Sequence, residues 1–316
     1  MSTYSFILAG LGNPRNKKEE KTSCRFLQKR HGNEPLLSKW FSSKFKMQML
    51  YEKYLDHNNS KDELDLLQEQ IEKTWPNSKI STFHYLFPET HEVFFAHLMA
   101  DPSNPIYVIP LFPQFSYFYA GALAKYFSEK LDSSILKKLF WIKSFSLMPD
   151  FIHGLIRNIK QTLKEKSWTE QQTLFIFTAS SPSAQTKENE QLYFFECETA
   201  YKQIIKSFPF ALGIVGYQPS FYLPYEIEPS TKTICSDIKQ YAMKRNKVLF
   251  IPLSLIYNDW HTLYEIESSY IPSLVNQGFE AAVIEPMQFD QFSLEAFSRF
   301  IDPNMLTTTS MLTSST

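Results

Sequence analysis

Three side chains with the chemistry of a catalytic or metal site stand close together toward the end of the chain. Asp259, His261 and Glu265 follow an apolar strand predicted over residues 248–256 and open a predicted helix. His261 and Glu265 are four residues apart, so they lie on one face of that helix. An imidazole with carboxylates can bind a divalent metal or take up protons near neutral pH. The alternative is that Asp259 caps the helix and that His261 and Glu265 form a solvated pair.

Three other segments place polar or aromatic side chains directly after predicted strands. The turn from Gly10 to Pro14 has the glycines and proline that suit a tight strand-to-helix connection. Gln114 and Ser116 stand in a proline-rich aromatic loop, where they can offer hydrogen bonds beside an apolar wall. Ser180 follows a later strand, and a hydroxyl without an adjacent base is a poor proton acceptor. A turn or N-cap role is its structural alternative.

These segments resemble the motifs of ferrochelatases, the enzymes that insert ferrous iron into a porphyrin. The resemblance covers residues 6–301, and its main segments are Phe6-Ile-Leu-Ala-Gly-Leu-Gly-Asn-Pro-Arg15, Ile109-Pro-Leu-Phe-Pro-Gln-Phe-Ser116, Phe177-Thr-Ala-Ser-Ser181 and the strand and helix from Val248 to Glu267. The second segment is the more specific match, because it keeps the type and spacing of most residues in the family's Pro-Leu-Tyr-Pro-Gln-Tyr-Ser loop. The last segment matches the family register without a gap at Pro252 and from Thr262 to Glu265.

The resemblance implies a porphyrin site and names its residues. Those expected to contact the porphyrin are Leu11, Gly12, Pro14, Pro113, Gln114, Phe115, Ser116 and Tyr119. Those expected to move protons are Ser180, His261 and Glu265, and Asp259 joins the last two as a candidate metal ligand.

The chain departs from the family at the positions that carry the chemistry. Ser180 stands where the family has the histidine on which metal insertion most depends. Asp259 replaces a second family histidine, and His261 replaces the first glutamate of the family motif. We therefore expect a ferrochelatase-like protein of haem biosynthesis, a lyase if active, whose iron insertion is weak or absent. The alternatives are a non-catalytic tetrapyrrole-binding protein on the same fold and a structural protein that has lost the ligand.

Predicted strands and helices alternate along the chain, which indicates a parallel sheet covered by helices on both faces. Together with the resemblance, this predicts an α/β fold of two doubly wound parallel-sheet halves with a cleft between them. The halves are expected at residues 1–148 and 149–306, and the Ser/Thr-rich residues 307–316 are expected to form a flexible tail. Ligands of such folds lie outside the carboxyl ends of the strands.

Composition limits the classes of partner. The chain has 316 residues, of which 43% are hydrophobic and 21% charged, as in a globular protein. A net charge of −1 gives no electrostatic reason to expect nucleic acid, and no apolar run is long enough to predict a transmembrane segment. Three cysteines without CxxC spacing favour a reducing, cytoplasmic location over a disulfide framework. No resident cofactor is expected, since porphyrin and ferrous iron enter as substrates.

Overall fold

The chain forms two compact units, each built around a sheet of parallel strands. The computed structural model describes residues 4–12, 17–31, 68–69, 71–73, 75–182, 188–218, 227–254, 256, 260–285 and 294–313. The first unit contains Met1–Leu111, Tyr119–Lys143 and Phe297–Thr316, and the second contains Phe112–Phe118 and Ser144–Ala296. The predicted α/β class with two parallel-sheet halves is confirmed.

The strands and helices alternate for most of the chain, as the sequence predicts. The strands are β1 Ser5–Gly10, β2 Lys79–His84, β3 Ile106–Pro110, β4 Leu139–Ile142, β5 Thr173–Ser180, β6 Leu212–Gln218, β7 Lys247–Pro252, β8 Glu280–Val283 and β9 Leu306–Thr308. The α-helices are α1 Lys17–His31, α2 Pro88–Met99, α3 Ala122–Lys130, α4 Ser133–Leu136, α5 Pro149–Lys166, α6 Gln191–Ile205, α7 Thr231–Ser236, α8 Ile238–Ala242, α9 Trp260–Glu265, α10 Ile271–Asn276, α11 Leu294–Arg299 and α12 Thr309–Thr313. Tyr117–Gly121 and Ile266–Tyr270 are π-helical turns, which precede α3 and join α9 to α10.

The sheet of the first unit has the strand order β2-β1-β3-β4-β9. Strands β1 to β4 pair in parallel, and β9 runs antiparallel to β4. Every residue of β1 is buried, which fits an apolar strand covered on both faces. The indole of Trp141 on β4 is fully buried, and its N–H donates to the Thr309 hydroxyl at 2.9 Å.

The sheet of the second unit has the order β6-β5-β7-β8, with all neighbours parallel. One face of β5 and β7 packs Leu174, Ile176, Val248 and Phe250 against α7, α8, the turn Ile266–Tyr270 and α10, and all four side chains are inaccessible to solvent. Helix α5 buries an apolar stripe that includes Ile152, Leu155, Ile159 and Leu163. This packing leaves the polar residues at the carboxyl ends of the strands to form the edge where a ligand site is expected.

Several predictions of element boundaries need correction. Residues 307–316 are not a flexible tail over their described part, because β9 pairs with β4 and Leu312 of α12 is 1% exposed. The units also differ from the predicted halves: the segment after β3 belongs to the second unit, and the chain from Phe297 returns to the first. The sequence predicts one helix over residues 230–244, whereas the structure has two short helices, α7 and α8. Asp150 is a residue type that can cap the helix that starts here, but Met148 is the N-cap of α5 and Pro149 occupies its first position.

Residues 61–75, in which Leu64, Leu67 and Ile71 at helical spacing predict a helix, lie largely outside the described residues. Within the part of the chain that is described, no helix is both long and apolar enough to cross a bilayer.

Candidate functional site

The carboxyl edge of the second sheet brings together the ends of three strands. Ser180 ends β5 and Gln218 ends β6, and the two residues are register partners in the parallel ladder. Just beyond them, the Ser181 N–H donates to the Gln218 carbonyl at 2.7 Å. On the other side of β5, the Leu253 N–H donates to the Thr178 carbonyl at 2.7 Å. The carboxyl ends of β5, β6 and β7 therefore lie next to one another.

A network of hydroxyl groups fixes the backbone at Ser180. The Ser180 N–H donates to the Ser254 hydroxyl oxygen at 3.1 Å, and the Tyr193 hydroxyl donates to the Ser180 carbonyl at 2.6 Å. The hydroxyls of Tyr193 and Ser254 are 3.0 Å apart, which closes the network. Ser180 is thus the last residue of a strand and does not have the N-cap role considered for it, since Glu190 precedes α6.

Glu265 reaches the same edge from helix α9. The Gln218 amide nitrogen lies 3.4 Å from a Glu265 carboxylate oxygen and 3.4 Å from the Thr262 carbonyl oxygen. Burial raises the pKa of the Cys235 thiol to about 12, and the negative charge of Glu265 adds to that shift. Glu265 therefore lies among β6, α7 and α9, and it is the carboxylate among the predicted site residues that the structure places at this edge.

The predicted group of Asp259, His261 and Glu265 is only partly described. Asp259 lies outside the described residues, and His261 belongs to α9 without a described side chain. Among the side chains that are described, no three His, Cys, Asp or Glu residues form a group able to hold a metal ion. The metal set stays a prediction, whereas the neighbourhood of Ser180, Gln218 and Glu265 is observed.

The loop of residues 112–118 is hydrogen-bonded to this sheet. Gln114 is 2% exposed, and its amide nitrogen donates to the Leu253 carbonyl at 2.8 Å, just after the end of β7. Pro113, Phe115 and Ser116 are also buried. The carbonyl of Pro113 accepts hydrogen bonds from the N–H groups of Phe145 and Ser146 at 2.9 and 3.0 Å. The hydrogen-bonding groups of Gln114 and Ser116 are directed into the unit, where they set the shape of the loop.

Sequence reasoning missed two acidic residues that hold this loop. The Glu196 carboxylate accepts from the Phe115 N–H at 2.8 Å, and the Glu190 carboxylate accepts from the Phe118 N–H. Burial raises the pKa of both carboxyl groups, although these hydrogen bonds offset part of the shift. One signal was available: Glu196 falls on the buried stripe of α6 between Tyr193 and Ala200, where an apolar residue is the norm.

The remaining predicted contacts belong to the first unit. Leu11 and Gly12 follow β1, and Gly12 has a φ of +83°, a left-handed conformation that favours glycine. A Cβ at Gly12 would come within 3.0 Å of both His84 and Phe87. Tyr119 is buried within its π-helical turn. Pro14 lies outside the described residues.

Two solved chelatase structures have a similar fold. The sirohydrochlorin chelatase SirB from Bacillus subtilis subspecies spizizenii, solved with cobalt, aligns with a TM-score of 0.52 and 13% identity over 96% of both chains. SirB from Bacillus subtilis with Fe3+ aligns with a TM-score of 0.54 and 11% identity, covering 96% of this chain and 97% of that one. At such identities the likeness concerns the fold alone.

Sequence comparison identifies the family. The ferrochelatase family model matches residues 57–301, which is most of the chain. The ferrochelatase of Chlamydia caviae is 27% identical over 205 residues, or 65% of this chain and 63% of that protein. The Chlamydia felis ferrochelatase is 28% identical over the same shares, so the chain spans somewhat less than two thirds of these relatives. The chain belongs to the ferrochelatase family.

Proposed function

We propose that this protein binds a porphyrin and acts in haem biosynthesis as a slow ferrochelatase that inserts ferrous iron. The observation that carries the proposal is the shared carboxyl edge of the second sheet. At this edge Gln218 pairs with Ser180 and contacts Glu265, and the Gln114 side chain is hydrogen-bonded to the backbone just after β7. The chain that carries this arrangement is a member of the ferrochelatase family.

The chemistry of the edge supports a role in metal and proton transfer. A metal ion entering a porphyrin displaces two pyrrole protons, and a carboxylate near the macrocycle can accept protons or handle a hard divalent cation. Glu265 supplies such a carboxylate at the edge. Ser180 supplies a hydroxyl in place of the base that the family has there, which is why we propose a low rate.

A second function, non-catalytic tetrapyrrole binding, is favoured by the surroundings of Ser180. The Ser180 N–H donates a hydrogen bond to Ser254, and its carbonyl accepts one from Tyr193. The backbone of Ser180 therefore stabilises the end of the strand. A chain can keep the ligand-binding loops of its family after losing the group that performs the reaction.

Porphyrin titration tests the binding that both functions require. We expect a change in Soret absorbance and quenching of tryptophan fluorescence with a dissociation constant of about 1 μM or lower, since micromolar binding corresponds to about 8 kcal/mol. Porphyrin at tens of micromolar exceeds that expected dissociation constant by about tenfold or more. If neither signal changes at that concentration, both functions are excluded and a structural role is left.

Metal insertion separates the two functions. We expect wild-type protein to form metalloporphyrin with ferrous iron, and Glu265→Gln to lower the rate by about tenfold or more because its carboxylate is lost. The matched control is Glu267→Gln, which removes a charge from the π-helical turn directly after α9. Porphyrin binding without any metalloporphyrin formation in the wild type would select the non-catalytic function.

A further inference from the structure

Two buried glutamates of the second unit bind the loop of residues 112–118 through its backbone. One carboxylate oxygen of Glu196 accepts three hydrogen bonds: from the Phe115 N–H at 2.8 Å, the Ser144 hydroxyl at 2.8 Å and the Ser146 hydroxyl at 3.2 Å. Glu196 is 7% exposed. A single charged atom therefore joins the loop, helix α6 and the segment that follows β4.

Glu190, at the start of α6, binds the other end of the loop. One oxygen of its carboxylate accepts from the backbone N–H of Phe118, and the Ser116 hydroxyl and the Tyr117 N–H also stabilise its charged form. The other oxygen, Oε2, is buried and has no hydrogen-bond partner among the described residues. The residue is 1% exposed. Both glutamates thus use their charge on loop donors inside the unit.

Burying a carboxylate is costly, and hydrogen bonds to its charged form are the usual compensation. Two backbone N–H groups of one short loop, at Phe115 and Phe118, are held in this way. The Pro113 carbonyl is bound as well, by the N–H groups of Phe145 and Ser146. These bonds fix the backbone of the loop before any ligand arrives, and a loop ordered in advance costs less to order on binding.

We propose that Glu190 and Glu196 are positioning residues, which hold the loop of residues 112–118 in the conformation that binds the tetrapyrrole. The proposal rests on the proposed function for the identity of the ligand. The two glutamates act through the loop and need no contact with the porphyrin.

Glu196→Gln is the most direct variant. It keeps the size of the side chain but turns three charge-assisted hydrogen bonds into neutral ones, which are about half as strong. We expect the dissociation constant for a free-base porphyrin, measured from the Soret band, to rise by about tenfold. Glu198→Gln is the matched control, because Glu198 lies on the same helix, is half exposed and pairs with Lys202.

Hydrogen exchange separates loop positioning from general loss of structure. In Glu196→Gln, the amides of residues 115–118 should exchange faster, while those of β5 keep the wild-type rate. Ser144→Ala is a milder change that removes one donor to Glu196, and it should shift the loop in the same direction by less. If Glu196→Gln is poorly folded, this second variant carries the test.

The outcomes distinguish the two proposals. Weaker porphyrin binding together with faster exchange confined to the loop supports the positioning role. Wild-type affinity in Glu196→Gln and Ser144→Ala, with or without altered exchange, overturns it and leaves the proposed function in place. A wild-type protein that binds no porphyrin overturns the proposed function and, with it, the role of the loop in ligand binding.

Discussion

Gln218→Glu would place a second carboxylate against Glu265 at the edge of the second sheet. The atoms involved are 3.4 Å apart in the native chain. Two unit charges at that distance repel by about 5 kcal/mol in an effective dielectric of about 20. Gln218 is 3% exposed, so burial disfavours the new charge as well. Both effects raise the pKa of the carboxyl pair in the folded chain.

The sign of the pH dependence follows from proton binding. An unfolded glutamate loses its proton near pH 4.3, roughly its ordinary pKa, whereas the folded variant keeps one proton on the pair to higher pH. The folded state then holds more protons than the unfolded state, so the free energy of unfolding falls by about 1.4 kcal/mol for each pH unit above 4.3. Relative to the neutral variant Gln218→Met, the deficit should grow from about 1 kcal/mol at pH 5 to about 4 kcal/mol at pH 7.

Urea unfolding of Gln218→Glu and Gln218→Met at pH 5, 6 and 7 measures this deficit. Adding Glu265→Gln to the first variant should recover much of the stability at pH 7, because the repulsion is gone. A deficit that does not change with pH, or one that Glu265→Gln leaves untouched, would refute the placement of Glu265 beside Gln218.

Three further predictions concern the units that support the site. Burial raises the pKa of Asp101, but hydrogen bonds from the side chain and backbone N–H of Ser103 and from Lys79 outweigh burial and lower the pKa overall. Lys79→Met should therefore lower the free energy of unfolding in urea by about 1 kcal/mol at pH 7, a small value because the lysine is half exposed. The difference between the variant and the wild type should vanish as pH falls below about 4, where Asp101 becomes protonated. Gly216→Ala should lower the melting temperature and cost about 1 to 3 kcal/mol, since its Cβ would lie 2.8 Å from a side chain of α7. Leu312→Ala should lower the free energy of unfolding in urea by about 2 kcal/mol or more, because Leu312 is buried. Met311→Ala should lower it by less than about 0.5 kcal/mol, because Met311 is 63% exposed.

The sequence is sufficient to predict the two sheets because their strands are short apolar runs separated by segments with helical periodicity. β7 begins one residue before the strand predicted over residues 248–256 and ends earlier than expected, at Pro252. The family motifs likewise predict the loop that contains Gln114, because the residues that shape it are local in sequence.

The contacts that hold the loop could not be predicted, because they join residues far apart in the chain. Phe115 and Glu196 are 81 residues apart, and neither residue type indicates the other. The strand β9 is a similar case: residues 306–308 have little periodicity, and they form a strand because β4, more than 160 residues earlier, offers an edge. The direction of the Glu265 side chain also depends on Gln218, which α9 meets only in the folded unit.

The central claim is that the family's ligand-binding edge is retained while Ser180 stands in place of the histidine on which metal insertion most depends. Metal insertion by the wild type, by His261→Ala and by the double variant Ser180→His with His261→Glu tests this claim most directly. General base catalysis contributes about a hundredfold to ten-thousandfold, so we predict slow insertion by the wild type and a gain of about a hundredfold or more in the double variant. Rapid wild-type turnover that survives His261→Ala, with no gain in the double variant, would contradict the account.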